Sequence, residues 1–429
     1  MNIIKLKNTI AKALCFTTVF SFTMLNTTFI NKEANTNNTV LAAEEAQVVF
    51  NGSVYDEKAE YYQYCLNKLG YKDYDNIALD TDGYFGGKSQ SALNKFLKDN
   101  GFSYCTSTAL DKLMALAEST ANKPFNSGFV LDKNKLMPTA FIYSSLSNIN
   151  NSKDPFYSMQ VLKEFPFIIT MRPDEMSYKS KRVAEYIKAK TKLFGYVNLG
   201  PDNPTAIRSE WRQADLNKVK TEIDSIAAAG WYGVFIDQFG YDWNETRERQ
   251  NIIVDYIHSK GMKVMANSWF VDDSLGNKVD KIANPKGLPT HLNSNDWYLV
   301  ESFFSDGDSY RADASYIEKY LKVKQYRDKM KINVAALSYK RESVSWQGAS
   351  EDIKNSYILA QVLGFNGWWY GKTDNADNLL YGKDPNINLG RIISPLKLKT
   401  NNLYAAETER YKIEYYAGSV PSLKLIPKK

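Results

Sequence analysis

Between residues 138 and 391 short apolar runs alternate with longer amphipathic stretches, and this alternation limits what the chain can fold into more than any other feature. The runs at 139–144, 165–171, 193–199, 233–237, 264–267, 298–301, 332–337 and 367–370 are rich in β-branched and aromatic residues and read as strands. The stretches at 180–190, 216–229, 247–260, 315–326 and 349–363 repeat their apolar residues at helical spacing. Nearly continuous apolar strands that alternate with helices belong to a parallel sheet covered on its faces. Eight such strands over about 230 residues predict a closed (β/α)8 TIM barrel. An open doubly wound sheet competes with it, but no glycine-rich phosphate fingerprint follows the first strand and the count of eight favours closure.

A barrel of this kind presents its chemistry at the C-terminal ends of its strands. Two runs end abruptly in a carboxylate, Gly233-Val-Phe-Ile-Asp237 and Trp297-Tyr-Leu-Val-Glu301. Two carboxylates aimed at one substrate are what a glycosidic bond needs, one to protonate the leaving oxygen and one to attack or to activate water. Asp237 and Glu301 are therefore the candidate catalytic pair. The other strand ends supply amides and aromatics, which suit sugar hydroxyls and the apolar faces of sugar rings. They give Tyr196, Asn198, Asp202, Trp211, Tyr241, Asn267, Trp269, Tyr339, Trp368 and Tyr370 as candidate substrate-binding residues. The chain has only two histidines, His258 and His291, and no Cys-x-x-Cys pair, which disfavours a zinc site and a Ser-His-Asp triad. No cofactor is implied.

The N-terminus carries Lys5, Lys7 and Lys12, an apolar stretch from 13 to 30, and Val40-Leu-Ala-Ala43, the pattern of an export signal cleaved after Ala42 or Ala43. The expected product is secreted and wall-associated, with no membrane span left after cleavage. The formal charge is +6, but residues 1–43 hold four lysines and one glutamate, leaving about +3 on the rest. That balance tolerates an anionic cell wall and does not suggest nucleic-acid binding, which requires a concentrated basic face. Cys15 falls in the leader; Cys65 and Cys105 share the next region, where a disulfide and two buried thiols are both open.

Residues 50–120 read as a small helical module, 121–137 as a linker, 138–391 as the barrel and 392–429 as a strap packed on it. The module contains Cys65-Leu-Asn-Lys-Leu-Gly-Tyr71, Asp82-Gly-Tyr-Phe-Gly86 and Ser91-Ala-Leu-Asn-Lys-Phe96. On these motifs it resembles the three-helix peptidoglycan-binding-like domain, which implies peptidoglycan or another wall glycan as a partner. The barrel contains Gly195-Tyr-Val-Asn-Leu-Gly200, Ile207-Arg-Ser-Glu-Trp211, Gly230-Trp-Tyr-Gly-Val-Phe-Ile-Asp237 and Val300-Glu-Ser302. Over about residues 138–375 it resembles glycoside hydrolase family 114 and the spherulin-4-like group, typified by endo-α-1,4-polygalactosaminidases. The resemblance implies endo-cleavage of a polysaccharide, an amino-sugar polymer at family level, with Asp237 as acid/base and Glu301 as nucleophile. The spacing Asp237-Gln-Phe-Gly-Tyr-Asp242 departs from the family's usual Asp-x-x-Asp, which bears on substrate identity. A barrel that binds wall glycan without cutting it is the alternative from another class, and a peptidoglycan hydrolase is a third.

Overall fold

A computed structural model describes residues 45–123, 136–142, 145–200, 213–371 and 387–428. The expected leader and most of the expected linker lie outside them, and residues 46–429 form one compact unit. No helix among the described residues is long and apolar enough to cross a membrane.

Three helices come first, α1 (Glu57–Lys68), α2 (Gly87–Asp99) and α3 (Ser107–Ser119). Asp56 and Thr106 cap α1 and α3 by accepting from backbone N–H groups in the first turn. Cys65 and Cys105 are buried free thiols. The Asp82 turn is held by its own carboxylate, which accepts from the Gln63 side chain and from the Tyr84 N–H, each at 3.0 Å.

The barrel follows as β1 (Met137–Ile142), α4 (Pro155–Leu162), β2 (Phe167–Thr170), α5 (Tyr178–Ile187), β3 (Lys192–Asn198), α6 (Leu216–Ala228), β4 (Gly233–Asp237), α7 (Arg247–Ser259), β5 (Lys263–Asn267), α8 (Val271–Leu275) and β6 (Trp297–Val300). A two-stranded ribbon of β7 (Ser305–Asp306) and β8 (Ser309–Tyr310) then leads to α9 (Ala314–Met330), β9 (Asn333–Tyr339), α10 (Ser350–Val362) and β10 (Gly367–Gly371). Eight parallel strands close in the order β1-β10-β9-β6-β5-β4-β3-β2, the predicted (β/α)8 TIM barrel. Its interior is packed rather than open. Phe167 on β2 and Trp297 on β6, which are not neighbours, bring their rings to 4.8 Å, and Phe141 on β1 meets Phe235 on β4 edge-on at 5.6 Å. Such ring contacts across a barrel add to the burial of large apolar surface.

The helical module docks directly on the first barrel helices. Glu118 of α3 pairs with Arg182 of α5 at 2.7 Å, Glu60 of α1 pairs with Lys179 of α5 at 2.5 Å, and the Tyr61 ring packs near Phe156 and Tyr178. The residues expected as a strap form a four-stranded antiparallel sheet, β11 (Ile392–Thr400), β12 (Leu403–Thr408), β13 (Tyr411–Tyr416) and β14 (Ser422–Pro427). It rests on the start of α9, where the Tyr415 hydroxyl donates to the Ala312 carbonyl at 2.6 Å and that of Tyr404 to Glu318 at 3.1 Å.

Candidate active site

Parallel register decides which side chains reach the barrel mouth. Asn198 on β3 aligns with Asp237 on β4, and Asn267 on β5 with Leu299 on β6. Alternate residues share a face, so Tyr196, Asp237, Asn267, Leu299 and, two residues further, Glu301 all belong to the inner set. Both carboxylates sit where the strand stops. The residue after each has left-handed backbone, Gln238 at φ 58° and Ser302 at φ 53°. Non-glycine residues adopt that conformation at a cost, and such strain concentrates at functional sites. Gly200 makes room beside the first of these turns, because a Cβ there would lie 1.4 Å from the Gln238 side-chain oxygen.

Asn267 ties the pair together. Its amide nitrogen donates to Asp237 Oδ1 at 2.9 Å and to Glu301 Oε2 at 2.7 Å, which keeps the nearest carboxylate oxygens within two hydrogen-bond lengths of each other. Tyrosines hold the outer oxygens. Tyr196 donates to Asp237 Oδ2 at 2.9 Å and Tyr339 to Glu301 Oε1 at 2.7 Å. Asp237 also accepts from the Gln238 backbone N–H at 2.8 Å. Burial, reinforced by the neighbouring Asp237 charge, raises the Glu301 carboxyl above the usual carboxylate range, while the bonds from Asn267 and Tyr339 work in the opposite direction.

The pair opens into a cleft of about 550 Å³ lined also by Gln238, Asp242, Trp243, Ser268, Trp269, Phe270, Tyr298 and Lys319. Trp269 stays 37% exposed and Phe270 53%, so both offer aromatic surface to a ligand. Tyr298 donates its hydroxyl to the Ser268 carbonyl at 2.7 Å and fixes that wall.

Of the residues singled out from the sequence, Asp237, Glu301, Tyr196, Asn267, Trp269 and Tyr339 come together here. Asp202 and Trp211 lie outside the described residues. Three others are placed elsewhere. Trp368 and Tyr370 face outward, because Trp368 aligns with Ala336 and Tyr370 with Ser338, on the face opposite Leu337 and Tyr339. The Trp368 indole packs edge-on against Tyr357 of α10 and donates to Ser356, and Tyr370 is fully buried beside Ser305. Tyr241 lies over the Arg247 guanidinium behind the cleft wall. Asn198 shares the face of Asp237 and accepts from the Gly200 N–H at 2.8 Å with its side-chain oxygen. Neither histidine is at the mouth, since His258 pairs with Asp296 just before β6, at the N-terminal end of the strands. Among the described residues no group of three or more His, Cys, Asp or Glu could hold a metal ion. Gln238, Ser268, Tyr298 and Lys319 are cleft residues that strand-end reasoning misses.

No protein-family model matches the chain, and no curated protein matches it in sequence. Similar solved structures include the glycoside hydrolase domain of PelA from Pseudomonas aeruginosa, 14% identical with a TM-score of 0.35, covering 56% of this chain and 96% of that one. A protein from Bacteroides fragilis NCTC 9343, provisionally described as an alpha-galactosidase, is 10% identical with a TM-score of 0.40 and coverage of 67% and 69%. An HpcH/HpaI aldolase from Desulfitobacterium hafniense DCB-2 is 10% identical with a TM-score of 0.29, covering 55% of this chain and 86% of that one.

Proposed function

We propose that the protein is an endo-acting glycoside hydrolase that cuts a wall or extracellular polysaccharide by a retaining mechanism. The observation that carries the reading is the single Asn267 nitrogen bonded to both carboxylates. With their nearest oxygens within two hydrogen-bond lengths, the pair suits the roughly 5–5.5 Å separation of retaining enzymes better than the roughly 6.5–9.5 Å that leaves room for a water in inverting ones. A barrel that only bound glycan would have no use for two carboxylates held face to face.

The roles follow from the surroundings of each acid, and they reverse the assignment that the family resemblance implies. Glu301, whose affinity for a proton is raised by burial, serves as the acid and donates its proton to the glycosidic oxygen as the bond to the anomeric carbon breaks. Asp237, aimed by Tyr196, Asn267 and the Gln238 N–H, attacks that carbon and forms a glycosyl ester. Glu301 then takes a proton from water, the hydroxide oxygen attacks the anomeric carbon, and Asp237 leaves as carboxylate. Export and retention on the wall belong to the same proposal, supported by the leader pattern and by the helical module.

The test is the anomeric configuration of the first product, followed by proton NMR during digestion of a panel of wall and exopolysaccharides that includes amino-sugar polymers. Net retention is the expected result. Inversion would remove Asp237 as nucleophile, and glycan binding without any reducing-end release would replace the enzyme by a binding protein.

The acid role also fixes a pH response. Activity requires the Glu301 proton and falls as pH rises through its pKa. Tyr339→Phe removes a bond that favours the charged form, so the alkaline limb of kcat/KM should move to higher pH. An unmoved limb would take Glu301 out of the acid role.

A further inference from the structure

One cleft residue is left unused by this chemistry. Lys319 reaches in from α9 and sits on the face of Trp269, its ammonium 3.7 Å from the ring centroid. It has no hydrogen bond and no ion pair with any described residue, and it is the one basic side chain among the described residues that line the cleft. We propose that Lys319 sets substrate choice by pairing with a carboxylate borne on a sugar of the polysaccharide, an inference that rests on the glycosidase reading above.

The argument is one of cost and position. Withdrawing an ammonium from water is unfavourable unless an anion answers it, and burial pushes Lys319 down to about 8. Asp242 and Glu301 act on it through space in the opposite sense, and Arg311 adds to the lowering. A lysine whose task was to neutralise these acids would touch one of them. This one is parked on an indole instead, where the ring holds the charge without satisfying its three donors. The start of α9, just before it in the chain, is braced by the C-terminal sheet through Tyr404 and Glu318, so the ammonium is presented from a fixed element. A sugar stacking on the exposed Trp269 surface would bring an equatorial or ether-linked carboxylate within reach. Two sugar sources carry that group, a uronic acid and the lactyl ether of a muramic acid, the latter also an amino sugar.

The experiment measures binding rather than turnover. Asp237→Asn protein is titrated calorimetrically with oligogalacturonate, with peptidoglycan glycan strands stripped of peptide, with neutral N-acetylglucosamine oligomers and with cationic glucosamine oligomers. Binding to one of the first two is expected, and which one names the source. Adding Lys319→Met should weaken that binding about 10- to 100-fold, as loss of a charge-assisted bond does, while Lys319→Arg should restore most of it. Affinity for the same ligand should also fall above about pH 8, where the ammonium loses its proton. Equal or tighter binding of neutral or cationic oligomers, or Lys319→Met weakening every ligand alike, would overturn the proposal. Hydrolysis by the wild type is scored separately, so failure to cut removes the glycosidase without removing a Lys319-dependent site.

Discussion

Glu301→Gln should lower turnover by about 100- to 10,000-fold on a substrate with a poor leaving group, the usual share of a general acid, and should leave the fold intact. The amide oxygen can still accept from Tyr339, while its nitrogen takes the place of the oxygen that accepted from Asn267, and it has no acidic proton to give. Asp237→Asn should be at least as damaging, because it removes the proposed nucleophile. A substrate with an activated leaving group separates the two. It needs no proton donor, so it should recover much of the rate in Glu301→Gln and little in Asp237→Asn, and the opposite pattern would exchange the roles. Thermal stability gives the control. The folded state raises Glu301 above its unfolded value, so its contribution to stability is present at acid pH and is lost as pH rises through the folded pKa. At neutral pH the neutral glutamine therefore should not lower the melting temperature, and a rise is expected, the familiar exchange of stability for function at an active site.

The barrel and its acid pair are legible in the sequence because both depend on local pattern. An apolar run that ends in a carboxylate places that carboxylate at a strand end, whatever the rest of the chain does. Strand-end reasoning fails for Trp368 and Tyr370, where a period of two sends neighbours to opposite faces and nothing in Gly-Trp-Trp-Tyr-Gly says which parity is inside. The register against β9 decides it, with Trp369 beside Leu337 on the inner face. Lys319 is invisible for a different reason. It belongs to an ordinary amphipathic helix, and only the packing of α9 against α8, where Tyr326 donates to Asp272, turns one of its surface lysines into a cleft residue. The sheet in the tail from residue 392 is not legible in the sequence because its strands are half-exposed and mix lysine with isoleucine and leucine, which blurs the alternation that would announce it.

Arg247→Met should destabilise the folded protein by about 3–5 kcal/mol, a large part of the roughly 5–15 kcal/mol that holds a typical domain. Arg247 begins α7, is fully buried, and donates to the carbonyls of Ser274 at 2.9 Å, Asp273 at 3.0 Å and Gly276 at 2.8 Å. These are the last carbonyls of α8, which is too short to satisfy them internally. Methionine fills similar space but donates nothing, so each carbonyl bears the cost of burial without a partner, about 1–3 kcal/mol apiece. Arg247→Lys should fall between, since one ammonium cannot reproduce the guanidinium fork. The consequence reaches the cleft through a short path. Ser274 shares a hydrogen bond of 2.7 Å with Ser268, and Ser268-Trp269-Phe270 forms the aromatic wall. Urea unfolding of the three proteins checks the energetics. A loss under about 1 kcal/mol for Arg247→Met would mean that water replaces the guanidinium. If α8 loosens locally instead of the whole barrel unfolding, Trp269 fluorescence should shift before the global transition and KM should rise with kcat little changed, because the aromatic wall of the cleft has moved while Asp237 and Glu301 remain on their strands.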